Sequence, residues 1–407
     1  MPMAQTRHRG RWTLEDRFAS AWHYLPVEVP PGAFGLRVEL DYERPDAVLD
    51  LGCIGPGGFR GWSGSARRSF VITADMATPG YLPGELTAGT WQVIIGLHRV
   101  SPDGTGYELT AEVSSSRGAL RPDPVPDTPP LAERPRHRVL PASDGRRWLA
   151  GDLHLHTLHS DGALPVAGVA RLAAERGLDF AAITDHNTTS HHAELPAAAE
   201  RYGITLVPGQ EVTVEAGHAG VLGDVGWIDF RESADDWLTA ADRRDGLMSV
   251  NHPIGGHVSW TIPMRRRPQL VEVWHWTWGL DLRWTMPLAW WLAWDAGAIP
   301  VGGSDWHRPG ADALPGSPTT WVECTGDSPQ DVLDGLRAGR TAISASLRGP
   351  VLLRRDGELI AVSADGMTLA GPDGPVARTR GELATFPGAP GYHRLLDAQG
   401  ATRALTL

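Results

Sequence analysis

The stretch GDLHLHTLHSDG, residues 151–162, carries three histidines and two aspartates in twelve positions. His154 and His156 are two residues apart on a predicted strand that begins at residue 149, so both side chains point to the same face of a sheet. Asp161 follows in a loop, directly before Gly162. Imidazole and carboxylate groups at such spacing are the ligands that zinc and related ions take in proteins. The stretch therefore predicts a metal site at the end of a strand.

Length and composition define the class of protein. The 407 residues predict two or three domains with a buried core, and 42% hydrophobic with 21% charged residues is typical of a globular protein. A formal net charge of -11 argues against a nucleic-acid polymer or an anionic membrane as the partner. The sequence shows no apolar leader at its N-terminus and no run of eighteen apolar residues. We therefore expect a cytoplasmic protein.

The chain contains no lysine, so all 37 basic residues are arginine. A Schiff-base enzyme and a nucleotide-binding loop of the GKS type are excluded, because both need a lysine. Cys53 and Cys324 are the two cysteines, which excludes a disulfide framework and a cysteine zinc cluster. Proton transfer must come from His, Asp or Glu side chains, or from a metal.

The sequence pattern changes three times along the chain. Short alternating runs between 35 and 115 predict a β-sandwich or jelly roll, and residues 119–146 are proline-rich and predict a linker. Strand and helix patterns then alternate as far as about residue 340, which predicts a parallel sheet closed into a barrel. Short strands return after residue 350. The predicted domains are 1–118, the linker 119–146, 147–343 and a β-rich appendix 344–407.

The alternating region can be divided into individual elements. Predicted strands cover 149–155, 179–184, 204–209, 247–251, 270–274, 298–303 and 319–323. Predicted helices cover 164–176, 190–201, 233–243, 286–295 and 328–338. The last of these begins with Ser328 as N-cap and Pro329 in the first helical position.

Metal-ligating residue types follow most of these predicted strands. They are Asp185 and His186 in ITDHN, Glu211 in PGQEVT, His218 in GHAGVLG, His252 in VNHPIGG, and Asp305 and His307 in VGGSDWH. Imidazoles and carboxylates without thiolates suit Zn, Mn or Fe(II), and their number exceeds what one tetrahedral ion needs. The sequence therefore predicts a multinuclear site with Glu211 as the bridging carboxylate.

The blocks HLHTLHSDG, ITDHN, NHP and GSDWH, in this order over about residues 148–340, resemble the polymerase-and-histidinol-phosphatase (PHP) domain. That resemblance implies a metal-dependent hydrolase with a distorted (β/α)7 TIM-like barrel. The segment around Glu211 and His218, with the β-rich N-terminal half, is similar to the branch named after a carbaryl hydrolase and a microcin-processing protein.

The resemblance also implies a trinuclear ligand set. His154, His156, Glu211 and Asp305 would hold a first ion, and Glu211 would bridge to a second held by His218 and His252. Asp161, His186 and His307 would hold a third ion. Asp305, Glu211 and Asp185 are the carboxylates predicted to act in catalysis, with Arg308 as a substrate contact. Asp185 has an alternative role, which is to orient a ligand imidazole.

The leading functional hypothesis is a phosphoesterase that hydrolyses a small organic phosphate mono- or diester with a metal-activated hydroxide, at a site with two or three divalent ions. A carbamate, ester or amide hydrolase is the alternative, and a non-enzymatic PHP-like scaffold is the third interpretation. Nine of the seventeen tryptophans lie between 260 and 306. Trp274, Trp276 and Trp278 could form an aromatic wall for a nucleoside, aryl or sugar group. The pattern leaves the oligomeric state open.

Other histidines near these motifs are predicted not to be ligands. His159, His191 and His192 are interpreted as solvated side chains beside a helix start. For His257 and His275 a core or surface position is favoured, with contact to a ligand from behind as the alternative.

Overall fold

The computed structural model describes residues 2–43, 46–135, 137–310 and 313–407. Positions 1, 44, 45, 136, 311 and 312 lie outside the described residues, and the predicted ranges 1–118, 119–146 and 147–343 include them. The chain forms two compact units. The first unit contains 1–127, 158–161 and 186–191, and the second contains 128–157, 162–185 and 192–407. The finer division into four segments stays a prediction.

The first unit is built from two antiparallel four-stranded sheets. The elements are β1 (Pro2–Trp12), α1 (Leu14–Ala19), β2 (Trp22–Val29), β3 (Gly35–Tyr42), β4 (Val48–Gly55), β5 (Gly58–Gly64), β6 (Ser69–Thr73), β7 (Gly89–Arg99) and β8 (Thr105–Ser114). The strand orders of the two sheets are β1-β8-β3-β6 and β2-β7-β4-β5. Alternate residues of the strands are buried, as in Leu25, Val27 and Val29, and side chains from both sheets share one hydrophobic core.

The second unit begins with alternating strands and helices, as the sequence predicts. They are β9 (Arg147–Asp152), α2 (Val166–Arg176), β10 (Phe180–Ile183), α3 (Leu195–Tyr202), β11 (Thr205–Val214), β12 (Gly217–Leu222), α4 (Ala234–Asp242), β13 (Leu247–Val250), β14 (Leu270–His275), α5 (Met286–Asp295), β15 (Ile299–Gly303), β16 (Thr319–Cys324), α6 (Pro329–Arg337) and β17 (Thr341–Ser344). Short 3-10 helices cover His192–Glu194, Gly256–Val258 and Trp276–Leu280.

Helix ends in this unit follow from local chemistry. Ser328 caps α6 and forms a reciprocal capping box with Asp331, so the predicted N-cap is confirmed. Helix α2 buries Val166, Val169, Ala170 and Ala173, which share one face at helical spacing. It ends at Gly177, whose φ of 89° is the left-handed conformation that glycine adopts without strain.

The strands of the second unit do not form a closed barrel among the described residues, so the predicted TIM-like barrel is not found. The order of the large sheet begins β15-β14-β13-β12-β11-β10-β9-β16-β17. Strand β12 is antiparallel to β11 and β13, and β16 is antiparallel to β9, which interrupts the expected parallel pattern. Between β15 and β16 a side chain takes the place of a backbone ladder. Thr320 Oγ1 accepts from the Gly302 N–H and donates to the Gly302 carbonyl, both at 2.8 Å.

The C-terminal strands extend the large sheet of this unit. They are β18 (Val351–Arg355), β19 (Glu358–Val362), β20 (Thr368–Gly371), β21 (Gly374–Arg378), β22 (Leu383–Pro387), β23 (His393–Leu396) and β24 (Thr402–Thr406). Strand β24 pairs with β17, and the order of the large sheet continues through β23, β20 and β21, while β18, β19 and β22 form a separate three-stranded sheet. No helix in the described part of the chain is both long and apolar enough to span a bilayer.

The carboxylate of Asp152 joins three segments at the end of β9. It accepts hydrogen bonds from the backbone N–H groups of His154 (3.1 Å), Ser304 (3.0 Å) and Gly316 (2.7 Å). Burial raises the pKa of Asp152 to about 6, because desolvation outweighs the hydrogen bonds from these donors. Asp152 thus fixes the loop that carries His154 against the end of β15.

We predict that Asp152→Ala lowers the free energy of unfolding by about 3 kcal/mol, because three buried N–H groups lose their acceptor. Asp152→Asn keeps one carbonyl oxygen and should cost about half as much. Urea denaturation measures both. The exposed Glu200→Ala on α3 is the control and should change stability by less than about 0.5 kcal/mol. An Asp152→Ala protein as stable as this control would contradict the assignment.

Candidate metal centre

The predicted ligands of the second unit converge at the carboxyl ends of its strands. His154 and His156 follow β9, His252 follows β13 and Asp305 follows β15. Strand β9 ends at Asp152, so the two histidines are not on the strand as predicted; they flank Leu155, which forms an isolated bridge with Trp306. The bridge keeps this segment extended. Parallel strands end at a common edge, which is why residues distant in sequence meet here.

Four side chains form the first group. His154 Nε2 lies 3.1 Å from Glu211 Oε1 and 3.2 Å from Asp305 Oδ1. His156 Nε2 lies 3.5 Å from Glu211 Oε2 and 3.0 Å from Asp305 Oδ1. The ligand atoms of all four residues fall within 4.8 Å of one another, as a shared ion requires. This is the set that the resemblance assigns to the first ion, although their ligation of a metal stays a prediction.

Glu211 also faces the residues predicted for the second ion. Its Oε1 lies 3.2 Å from His252 Nε2 and 3.3 Å from His218 Nδ1. His218 is on β12, a strand that the sequence analysis missed, and the antiparallel pairing of β11 with β12 sets Glu211 opposite Gly220. A fully buried carboxylate therefore has imidazole nitrogens on both of its oxygens.

The hydrogen bonding of His154 tests whether a cation fits. Its Nδ1 lies 3.0 Å from Glu272 Oε1, and a carboxylate can only accept, so Nδ1 carries the hydrogen. In the neutral ring Nε2 then has a lone pair aimed at two carboxylate oxygens, and it makes no hydrogen bond among the described residues. Three electron-pair donors converging at about 3 Å suit a divalent cation. The residues present fit the metal that the sequence predicts.

Electrostatics within this group are strong. Burial alone would lower the pKa of His154, but attraction to Glu211, Asp305 and Glu272 holds it well above the usual range. Burial would likewise raise the pKa of Asp305, yet His154 and His156 hold it well below the usual range. The imidazoles and the carboxylates of this group therefore stabilise each other's charged forms.

The backbone is strained at two of these residues. His252 has φ 26° and Asp305 has φ 50°, a region that non-glycine residues seldom adopt. Such strain persists where surrounding contacts over-determine it, and it clusters at functional sites. Both residues turn their side chains back toward Glu211 or His156 just after a strand has ended.

The residues predicted for a third ion are divided between the units. In the first unit, His186 Nε2 lies 3.6 Å from Asp161 Oδ1. In the second, the His307 ring stacks on His156 with centroids 4.2 Å apart, and His307 Nδ1 lies 2.8 Å from the Asp305 carbonyl oxygen. Their role as ligands of one ion stays a prediction.

The surroundings of Asp185 and Arg308 bear on the roles predicted for them in catalysis and substrate binding. Asp185 is fully buried and accepts hydrogen bonds from the Thr157 N–H (2.8 Å) and hydroxyl (2.7 Å). These bonds fix the loop directly after His156, which is a positioning role. Arg308 is exposed and makes no hydrogen bond or ion pair within the described ranges, so its predicted contact with substrate is untested.

The site includes three residues outside the predicted ligand set. Glu272 accepts from His154, Asn251 Nδ2 donates to Glu211 Oε1 at 3.0 Å, and His275 Nε2 lies 3.2 Å from Asp305 Oδ2. Sequence reasoning missed Glu272 and Asn251, whereas the buried His275 matches the alternative of a residue that contacts a ligand from behind. The Thr277 N–H donates to its Nδ1, so Nε2 carries the hydrogen that reaches Asp305. Burial lowers the pKa of His275, which favours this neutral form.

Other expectations near the site need correction. His159 and His191 are buried, so the prediction of solvated imidazoles is wrong for both. Trp274 and Trp278 are also buried and pack in a hydrophobic core. Trp276 is half-buried, with its ring 5.5 Å from that of His275. Of the three tryptophans predicted as an aromatic wall, Trp276 alone remains a candidate.

Part of this site lies in a segment that is similar to a known protein family. Residues 152–266 match the sequence profile of a family described as "PHP domain". The chain contains a PHP domain. The matched PHP residues include His154, His156, Glu211, His218 and His252, while Asp305 lies beyond the matched range.

Two curated proteins are similar over short segments. A 3',5'-nucleoside bisphosphate phosphatase of Chromobacterium violaceum is 47% identical over 66 residues, which is 16% of this chain and 23% of that protein. A phosphoribosyl 1,2-cyclic phosphate 1,2-diphosphodiesterase of Eggerthella lenta is 39% identical over 62 residues, 15% of this chain and 24% of that protein. The chain thus spans about a quarter of the length of these relatives.

Among solved structures, a two-domain protein of Bacteroides vulgatus, described as containing a predicted PHP-like metal-dependent phosphoesterase, is 20% identical. The match covers 68% of this chain and 91% of that chain, with a TM-score of 0.43.

We predict that Glu211→Gln lowers metal affinity by about 100-fold or more, because loss of a ligand should cost at least as much as loss of its supporting residue. Metal analysis after dialysis against Mn²⁺ measures the bound ions. The matched control is Glu323→Gln, an equally buried glutamate that accepts from the Ser143 N–H. Glu211→Gln protein with the metal content of this control would show that Glu211 is not a ligand.

Proposed function

We propose that this protein is a metal-dependent phosphoesterase that hydrolyses a small organic phosphate mono- or diester. The observation that carries the proposal is the position of Glu211, whose two carboxylate oxygens face imidazole nitrogens of His154, His156, His218 and His252 at 3.1–3.5 Å. Such an arrangement suits a carboxylate that bridges two divalent ions, for which Mn, Zn or Fe(II) are the candidates. The carbaryl-hydrolase branch is a finer placement that we keep as part of the proposal.

Two metal ions bound at Glu211 would lower the pKa of a coordinated water and polarise a phosphoryl oxygen of the substrate. The protein's own residues set where this chemistry occurs. His154 and Glu211 are almost fully buried, whereas the Asp305 side chain is 17% exposed and so can be reached by a bound substrate. One Asp305 oxygen is held by His275 and the other faces His156, so the carboxylate is fixed in orientation at the edge of the site that a substrate would reach. Its predicted part in proton transfer belongs to the same proposal.

The names of the curated relatives favour phosphate esters attached to a nucleoside or a ribose. For this chain, Trp276 is the side chain that we assign to the apolar part of such a substrate, because it is half-buried beside His275. Asp161, His186 and His307 would add a third ion, and Arg308 would contact the phosphate. A cytoplasmic location belongs to the same proposal.

We predict that Mn²⁺-loaded protein releases p-nitrophenol from bis- or mono-p-nitrophenyl phosphate, and that a chelator abolishes this release. The faster substrate identifies diester or monoester preference. Asp305→Asn should lower kcat by at least about 100-fold, because it removes both a charge at the metals and a proton acceptor.

The control for this assay is the metal-loaded Glu323→Gln protein, which should keep wild-type turnover. Metal-loaded protein that hydrolyses p-nitrophenyl carbamates or carboxylic esters, but neither phosphate, would replace the proposal with its alternative. A protein that takes up no metal would favour the scaffold interpretation.

A further inference from the structure

Glu272 is a buried carboxylate that the predicted ligand set does not include. It lies inside β14, and its whole residue is 3% exposed. Burial of an unpaired carboxylate is costly, so the groups that donate hydrogen bonds to Glu272 indicate its role. Both of its oxygens are engaged, and each partner belongs to a predicted metal ligand.

One oxygen of Glu272 orients a ligand side chain. Glu272 Oε1 accepts from His154 Nδ1 at 3.0 Å, which leaves the Nε2 lone pair facing Glu211 and Asp305. A carboxylate behind a ligand imidazole fixes its tautomer and ring orientation and raises its basicity. Without this acceptor, the hydrogen could move to Nε2 and block that atom as a ligand.

The other oxygen of Glu272 holds a ligand backbone. Glu272 Oε2 accepts from the backbone N–H of His252 at 2.8 Å. His252 has φ 26°, and it needs this conformation to aim Nε2 at Glu211 Oε1, 3.2 Å away. The hydrogen bond therefore offsets part of the cost of the strained backbone.

The neighbouring strand leaves room for this arrangement. A Cβ atom on Gly303 would lie 2.4 Å from Glu272 Oε1 and 2.4 Å from His154 Cβ, both far inside van der Waals contact. Glycine at this position of β15 therefore allows the carboxylate and the imidazole to meet.

We propose that Glu272 is a positioning residue that couples the two ion positions, because one side chain fixes His154 of the first and His252 of the second. This inference rests on the metal centre of the proposed function. Glu272 also forms a group with His154 and His252 whose ligand atoms lie within 4.8 Å of one another, but its two oxygens accept from an imidazole N–H and a backbone N–H, which favours positioning over ligation. Loss of Glu272 should weaken both ions together.

The test is calorimetric titration of Mn²⁺ into metal-free wild-type, Glu272→Leu and Glu323→Leu proteins. A leucine has no accepting oxygen, so it satisfies neither His154 Nδ1–H nor the His252 N–H. We expect Glu272→Leu to lose about 10- to 100-fold in affinity at both positions, and the matched control Glu323→Leu to bind as wild type. Urea midpoints of the metal-free proteins separate positioning from general destabilisation. The midpoint of Glu272→Leu should stay close to that of the wild type, because removing one of three clustered carboxylates offsets the lost hydrogen bonds.

Gly303→Ala provides a second variant, because its methyl group would displace both Glu272 Oε1 and His154 Cβ. It should lower Mn²⁺ affinity at the ion position that includes His154. Wild-type affinity in Glu272→Leu, or loss at one position only, would overturn the coupling while leaving the proposed function intact. A wild-type protein that binds no Mn²⁺ would overturn the proposed function and this inference together.

Discussion

The Glu211 carboxylate lies in the protein interior, where imidazole nitrogens of His154, His156, His218 and His252 approach its two oxygens within 3.5 Å. Asp305 and Glu272 bring two more carboxyl groups to the same imidazoles. Several negative charges this close together in a poorly hydrated place need compensation by protons or by metal ions. The first part of the second unit is arranged around this requirement, since β9 and β11 to β15 each carry or lead into a residue of the cluster or of its support.

The need to hold this cluster of carboxylates and imidazoles in place explains local features that stability alone would not favour. His252 and Asp305 adopt positive φ values, and Gly303 lacks a side chain where the sheet would otherwise favour a β-branched residue. The buried carboxylate of Asp152 accepts hydrogen bonds from three backbone N–H groups, and these bonds fix the segment that carries His154. Natural sequences depart from ideal local structure mainly at functional sites, and these departures converge on one place.

Much of this unit could be predicted from the sequence. The alternation of strand and helix patterns located β9, β10, β13, β14, β15 and β16 to within a few residues. The four residues that the resemblance assigns to the first ion meet in the structure, and their ligation of a metal stays a prediction. Strand β12 was missed because GHAGVLG is rich in glycine and its histidine was interpreted only as a ligand. The closed barrel was not found because antiparallel neighbours and the Thr320 side chain replace the expected parallel ladders, which no local pattern encodes. Glu272 was missed and the role of His275 was left open for a related reason. Within VEVWH they resemble any polar residues of a buried strand, and only tertiary contacts reveal their partners.

The central claim is that Glu211 bridges two divalent ions. Anomalous X-ray diffraction from crystals soaked in Mn²⁺ tests it most directly, because it locates each ion independently of activity. The account predicts two anomalous peaks about 3.5–4 Å apart, each within about 2.0–2.3 Å of a Glu211 oxygen. One of them should also contact His154 and Asp305, and the other His252. The absence of peaks at Glu211, or a single ion that does not contact this carboxylate, would contradict the account.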